Sequence, residues 1–212
     1  MKLSVVMITY NHERFIAQAM ESALAQKVNF PYEIVIGEDC STDGTRGIVV
    51  DFALRYPERI RPLLRIRNLG MNRNFAEPIA AYRGEYVAFL EGDDYWMSDN
   101  KLQRQVDFLD AHSHCAICCT RVQVIDNIGD AESMAPMRPA RTYTIDNLME
   151  TDFVIIRSTV LRRGLIEPLP HWRVKVKQGD YPLWVMVARH GKIEQLEDMM
   201  AAYRVHRGGT WS

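Results

Sequence analysis

The chain has 212 residues, with 26 basic and 27 acidic side chains, a formal net charge of -1, 47% hydrophobic residues and 25% charged ones. One soluble globular domain fits these values, and at this length a core buries roughly 70% of the surface an unfolded chain exposes, so neither disulfides nor a structural metal is needed. Disorder and collagen-like order are excluded, no apolar run reaches the ~18 residues of a membrane helix, and near-zero charge argues against holding nucleic acid by bulk electrostatics.

Leu3 to Thr9 is almost continuously apolar and β-branched, which suits a strand buried on both faces of a parallel sheet. A polar turn at Tyr10-Asn11-His12 follows, and then Phe15, Ile16, Ala19, Met20, Ala23 and Leu24 recur at helical spacing. The pattern repeats: a strand at Tyr32 to Ile36, a turn at 37–44 in which Ser41 and Thr42 are the expected helix caps, and a helix through Ile48, Val49, Phe52 and Leu54. Further strands are expected at Ile60 to Ile66 and Glu85 to Leu90, with helices at about Arg73 to Tyr82 and across Leu102 to Leu109, the latter capped by Asp99. Alternating strands and helices imply an α/β fold built on a mostly parallel sheet.

After Asp110 the rhythm changes. A long strand at Cys115 to Ile125 leads into a Pro-, Met- and Ala-rich segment, Gly129 to Arg141, that reads as a loop or flap. Thr151 to Val160 is apolar and β-branched, Pro182 to Ala188 reads as a buried helix, and Met199 to Val205 as a last strand. No internal repeat or long polar linker divides the chain, and it ends without a closing element, which suits the catalytic part of a longer protein. The Leu3 to Ile8 stretch is too short for a secretory signal and lacks a cleavage site, so the expected location is the cytoplasm, with peripheral association at the inner membrane face left open. Cys40, Cys115, Cys118 and Cys119 read as reduced core residues rather than a zinc site, because no second Cys or His pair completes four ligands.

In an open parallel sheet ligands bind at the carboxyl ends of the strands, which here carry Thr9-Tyr10-Asn11, Glu38-Asp39, Asn68 and Glu91-Gly92-Asp93-Asp94. Three carboxylates within four residues repel one another unless a cation or donors neutralise them, and hard oxygen ligands select Mg²⁺ or Mn²⁺ with phosphate oxygens completing the shell. A solvated acidic turn is the plainer reading, but Asp99 is better placed to cap the next helix and leaves Asp93 and Asp94 without that task. Neither GxGxxG nor GxxxxGK[ST] occurs, so a diphosphate bound here is held by metal and side chains, which points to a sugar nucleotide.

Ser4-Val5-Val6-Met7-Ile8-Thr9-Tyr10-Asn11, the turn from Glu38 to Thr45, Glu91-Gly92-Asp93-Asp94 and Tyr203-Arg204-Val205-His206 together resemble a family 2 glycosyltransferase, in order and over nearly the whole chain. The resemblance implies a GT-A (Rossmann-like) fold with helices on both faces of the sheet, residues 1–110 forming a nucleotide-binding half and 111–212 an acceptor-binding half. It implies that Thr9 and Asp39 contact the base and ribose with Tyr10 nearby, that Asn11 belongs to the nucleotide-sugar site, that Asn68 and Arg73 reach the nucleotide, and that Glu91-x-Asp93 stands at the family's DxD motif. Asp93 and Asp94 would then hold Mn²⁺ or Mg²⁺ with the ribose-diphosphate, and Arg204 and His206 would face the diphosphate or the metal. In the segment Gln178-Gly179-Asp180-Tyr181-Pro182, Gly179 replaces the family's first acid and Asp180 becomes the expected catalytic base, although an Asp here also suits a helix N-cap. Trp172, Tyr181 and Trp184 are candidates to stack on acceptor sugars or to join the core.

The expected activity is transfer of a sugar, with inversion, from a nucleoside-diphosphate donor to the hydroxyl of a saccharide or glycolipid acceptor, and the resemblance implies a setting in bacterial polysaccharide or glycoconjugate assembly. Two alternatives remain. A nucleotidylyltransferase shares the fold, but the turn after the first strand carries no glycine to grip a triphosphate. A sugar-nucleotide-binding domain without catalysis is the other, and Gly179 is the feature that favours it.

Overall fold

The structure, a computed structural model, describes residues 1–126, 131–134, 141–176 and 179–209. The first half runs β1 (Leu3–Thr9), α1 (Ile16–Leu24), β2 (Tyr32–Glu38), α2 (Thr45–Arg55), β3 (Ile60–Leu64), α3 (Met71–Ala81) and β4 (Tyr86–Glu91). The second half runs β5 (Tyr95–Trp96), α4 (Lys101–Ala111), β6 (Cys115–Ile125), β7 (Ala131–Met134), β8 (Thr142–Tyr143), α5 (Ile145–Glu150), β9 (Val160–Arg162), α6 (Asp180–Ala188) and β10 (Lys192–Arg204).

All ten described strands join one sheet, with the order β3-β2-β1-β4-β9-β6-β10-β5 along its main path. The first four are parallel, as the strand–helix alternation requires. Beyond β4 the sheet becomes mixed: β9 is antiparallel to both β4 and β6, while β10 returns parallel to β6. Side-chain alternation sorts the core into two layers. Leu3, Val5 and Met7 of β1 pack with α1, α2 and α4, whereas Val6 packs with α3, α5 and α6, so helices cover both faces.

Several local expectations change. Part of the Gly129 to Arg141 segment is strand β7, paired with β6, and the rest of that segment lies outside the described residues. Thr151 to Val160 supplies a 3₁₀ turn at Ile156–Ser158 and only the first residue of β9. Ser41 and Thr42 do not cap α2; the carboxylates of Asp43 and Glu13 accept from the Thr45 and Gly44 amides instead. Asp99 does not cap α4: it pairs with Lys27 at 2.6 Å, and Gln26 Oε1 accepts from the Leu102 amide. All four cysteines are free; Cys115, Cys118 and Cys119 are core residues, but Cys40 is only half-buried and holds φ 60°, a conformation that favours glycine.

One core residue works against stability. Lys101 Nζ is buried over the Trp96 ring with Gln105 Oε1 at 2.7 Å as its acceptor, and burial pushes its pKa from 10.5 down to about 7. Between those values the unfolded chain holds the proton that the folded one releases, so stability rises with pH through that window. Lys101→Met is expected to add ~1–3 kcal/mol at pH 7 and to flatten the rise, measured by urea unfolding at pH 7 and pH 9.

Candidate active site at the carboxyl edge of the sheet

Strand register sets the site. Thr9 lies beside Glu38 and Ile8 beside Glu91, so the polar ends of β1, β2 and β4 reach one rim. The loops after β1 and β2 are tied together: the Asn11 amide donates to Ser41 Oγ at 3.0 Å, and Asn11 Oδ1 accepts from the Thr42 amide at 2.8 Å. Asn11 thus braces the rim from its exposed side, in a left-handed conformation (φ 55°) that Asn tolerates. Asp39 is buried, and its carboxylate accepts from the Leu69 and Gly70 amides, each at 2.8 Å, while Asn68 Nδ2 donates to the Asp39 carbonyl at 3.1 Å. These bonds fold the loop before α3 over a cavity of about 230 Å³ whose walls include Thr9, Tyr10, Asp39, Asn68, Glu91 and Asp93. Arg73, in the first turn of α3, is exposed and outside those walls.

The acidic turn after β4 is divided by a buried cation. Arg157, 6% exposed, pairs with Glu91 through Nη2 and with Asp94 through Nε, and its guanidinium lies 4.0 Å from the centre of the Tyr203 ring. Asp94 also accepts from the Arg204 amide at 2.8 Å and faces the interior. Burial, reinforced by the charges of Asp93 and Glu91, pushes the Asp94 carboxyl well up against the pull of Arg157. Arg204 is a brace: Nε donates to the Asp93 carbonyl at 3.0 Å, Nη2 donates to Gln18 at 2.7 Å, and the guanidinium lies over Phe15.

Asp93 behaves differently. Its Oδ2 is 3.1 Å from His206 Nε2 and 3.6 Å from His12 Nε2. Burial raises its pKa, but the His206 hydrogen bond and the charges of His12 and Arg157 outweigh that and hold the carboxyl below its usual range. The Gly208 amide donates to His206 Nδ1 at 3.3 Å, so Nε2 carries the proton given to Asp93. Gly92 permits the close approach of the turn to β1: a Cβ there would stand 2.6 Å from Thr9 Oγ1 and 3.0 Å from His12 Nδ1.

Two described groups bring three ligating atoms within 4.8 Å of one another: Glu91, Asp93 and Asp94, and His12, Asp93 and His206. Arg157 already occupies Glu91 and Asp94, so the second group fits a cation better. Two imidazoles and one carboxylate suit Mn²⁺ more than Mg²⁺. A cation there would displace the proton on His206 Nε2.

A second cavity, of about 330 Å³, adjoins the first across Met71, which lines both. Its walls include Asp152, Arg157, Asp180, Tyr181 and Tyr203. Asp180 is the first residue of α6 rather than its cap, which is Gly179. Burial, with the Glu91 charge, pushes the Asp180 carboxyl up to about 7, against Arg173 and Arg157. Trp184 is core and cannot reach an acceptor, whereas Tyr181 lines the cavity and Trp172 is exposed.

The family profile described as Glycosyl transferase family 2 matches residues 4–168. The chain belongs to that family. A Mycobacterium tuberculosis protein with no assigned activity is 39% identical over 211 residues, which cover 99% of this chain and 60% of that protein. This family 2 chain therefore spans about three-fifths of the length of such relatives. Among solved structures, Staphylococcus aureus TarS in complex with UDP-GlcNAc superposes with a TM-score of 0.75 at 22% identity, over 99% of this chain and 60% of that one. The mannosyltransferase PcManGT of Pyrobaculum calidifontis, in complex with GDP-Man and Mn²⁺, gives 0.73 at 19% identity, over 99% and 58%. These likenesses establish the GT-A glycosyltransferase fold. Among the described residues, no helix is long and apolar enough to cross a membrane.

Sequence reasoning missed His12, Arg157 and Arg173. His12 ends the same polar turn as Thr9 to Asn11, so the strand-end rule that selected those residues applies equally to it. Arg157 stands alone after the apolar run Phe153-Val154-Ile155-Ile156, a placement that itself signals a buried ion pair. Arg173 carries no such signal, because its partners become neighbours only through folding.

Proposed function

We propose that the chain is the catalytic unit of an inverting, metal-dependent glycosyltransferase that moves a sugar from a nucleoside-diphosphate donor to an acceptor hydroxyl. The observation that carries this reading is the pair of adjoining cavities, one edged by Asp39 and Asp93 and the other by Asp180. The first would take the nucleotide, with Thr9, Tyr10, Asp39 and Asn68 around base and ribose and with Glu91 and Asp93 towards the ribose-diphosphate. The second would take the acceptor. Asp180 would receive the acceptor proton as its oxygen attacks the anomeric carbon in one displacement, and such general-base help is typically worth 10²–10⁴-fold. Asp93, His12 and His206 would hold Mn²⁺ or Mg²⁺, which would supply positive charge against the departing diphosphate.

The proteins similar in structure were solved with UDP-GlcNAc or with GDP-Man and Mn²⁺, which supports a nucleotide-sugar donor and a cation. Another relative is named for teichuronic acid biosynthesis, which supports a role in bacterial polysaccharide assembly with a saccharide or glycolipid acceptor. The absence of an acid at Gly179 does not weaken catalysis in this reading, since Asp180 keeps its place on the cavity wall.

Calorimetry with UDP, GDP and dTDP, each with and without Mn²⁺, tests the proposal. One nucleotide is expected to bind only with the cation, and Asp93→Ala is expected to weaken it at least ~100-fold. Binding that ignores Mn²⁺ and survives the substitution would refute the metal-diphosphate assignment.

A further inference from the structure

Met71 stands where the two cavities meet. Among the described residues it alone lines both, and its side chain, 39% exposed, belongs to neither layer of the core. A second link joins the same two cavities: Glu91, on the wall of the first, is paired with Arg157, on the wall of the second.

The backbone fixes Met71 at this junction. It is the first residue of α3, directly after Gly70, whose φ of 82° glycine adopts without strain. The Gly70 amide donates to Asp39 Oδ2 at 2.8 Å and to Asn68 Oδ1 at 3.1 Å, and the Gly70 carbonyl accepts from the Asn74 amide at 2.9 Å. On the other side of Met71, Asn72 Nδ2 donates to the Val176 carbonyl at 2.7 Å. With both neighbours tied down, the side chain is the part left free to move. Methionine is unbranched and has three rotatable bonds, so its apolar surface adapts to whatever lies against it.

A single exposed methionine on a convex surface needs no explanation. At a junction between a donor and an acceptor it has one. In a single displacement the transferred sugar is bonded to the diphosphate on one side and faces the attacking oxygen on the other. With the diphosphate beside Asp93 in the first cavity and the acceptor beside Asp180 in the second, that sugar has to span the boundary that Met71 forms.

We propose that Met71 packs against the carbon-bound face of the transferred sugar and, as the partition between the two cavities, sets the size of sugar that the chain accepts. The inference rests on the first cavity holding the nucleotide and the second the acceptor. Met71 is then a specificity-determining residue for the sugar rather than for the nucleotide, whose base and ribose lie towards Thr9, Asp39 and Asn68.

The test compares, by calorimetry of the full chain with Mn²⁺, each nucleoside diphosphate with its sugar ester: UDP with UDP-glucose and UDP-N-acetylglucosamine, GDP with GDP-mannose, and dTDP with dTDP-glucose. The wild type is expected to bind one diphosphate and at least one of its esters. Met71→Trp, which fills the junction, should weaken that ester about tenfold or more while the diphosphate stays within about threefold. Met71→Ala, which removes the contact without adding bulk, should weaken the ester about threefold or more and covers the case in which Met71→Trp does not fold. The readout is the ratio of the two affinities, which a merely structural role would not move. A ratio unmoved in Met71→Trp, or in Met71→Ala where Met71→Trp does not fold, overturns the role of Met71, as does a wild type that binds a diphosphate but none of its esters; the nucleotide assignment then stands. No binding of any diphosphate by the wild type overturns the glycosyltransferase reading, and this inference with it.

Discussion

Asp180→Asn is expected to lower kcat by roughly 10²–10⁴-fold while nucleotide affinity stays within a factor of about two. Asparagine keeps the shape and the position at the start of α6 but cannot accept the acceptor proton. The pH dependence supplies a second readout. Burial, helped by the Glu91 charge, pushes the Asp180 carboxyl up to about 7, against Arg173 and Arg157. The base works deprotonated, so kcat/KM should fall about tenfold per unit below pH 7 and level off above it, and the Asn variant should lose that limb. Steady-state kinetics from pH 5.5 to 8.5 decides the matter, since a variant that keeps both rate and limb removes Asp180 from the mechanism.

The second large effect is on stability. Arg157 is buried between Glu91 and Asp94, and Arg157→Leu leaves those carboxylates facing each other and Asp93 without a counter-charge. Removing one partner of a buried ion pair costs about 3–5 kcal/mol, which for a chain of this size lowers Tm by roughly 10 °C. The sign of the pH effect follows. Stranded carboxylates take pKa values further above their unfolded ones than the raised Asp94 and Asp180 carboxyls already do in the wild type, so the variant should regain more stability than the wild type as pH falls from 7.5 to 5.5. Thermal melts at both pH values check this. A variant as stable as wild type at pH 7.5 would mean that water, not Arg157, neutralises the turn.

The parallel half of the fold was legible because β1, β2 and β4 are buried on both faces and the intervening helices show regular apolar spacing. Where neighbours were remote, legibility failed. Asp99 and Thr42 have the chemistry of helix caps, but Lys27 and Asn11, brought close by other loops, engage them first. Thr151 to Val160 has strand composition, yet Arg157 must reach the acidic turn, and the chain bends through a 3₁₀ turn to place it. At the site, sequence gave residue types but not their allocation. Asp93 and Asp94 are adjacent and chemically identical, and only the fold turns one to the cavity with His12 and His206 and the other to Arg157 and the Arg204 amide.

That division of labour between Asp93 and Asp94 has a temporal side. Both are held by residues more than 100 positions later: the Arg204 amide and guanidinium, and His206. During synthesis the polar rim of β1, β2 and β4 can form while the acidic turn still lacks these contacts. β10 then has to slot between β6 and β5, closing the longest loop in the sheet before Asp93 acquires its second imidazole neighbour, His206. Cation affinity should therefore be the last property a refolding chain recovers, lagging behind secondary structure and making the metal site a reporter of completed folding.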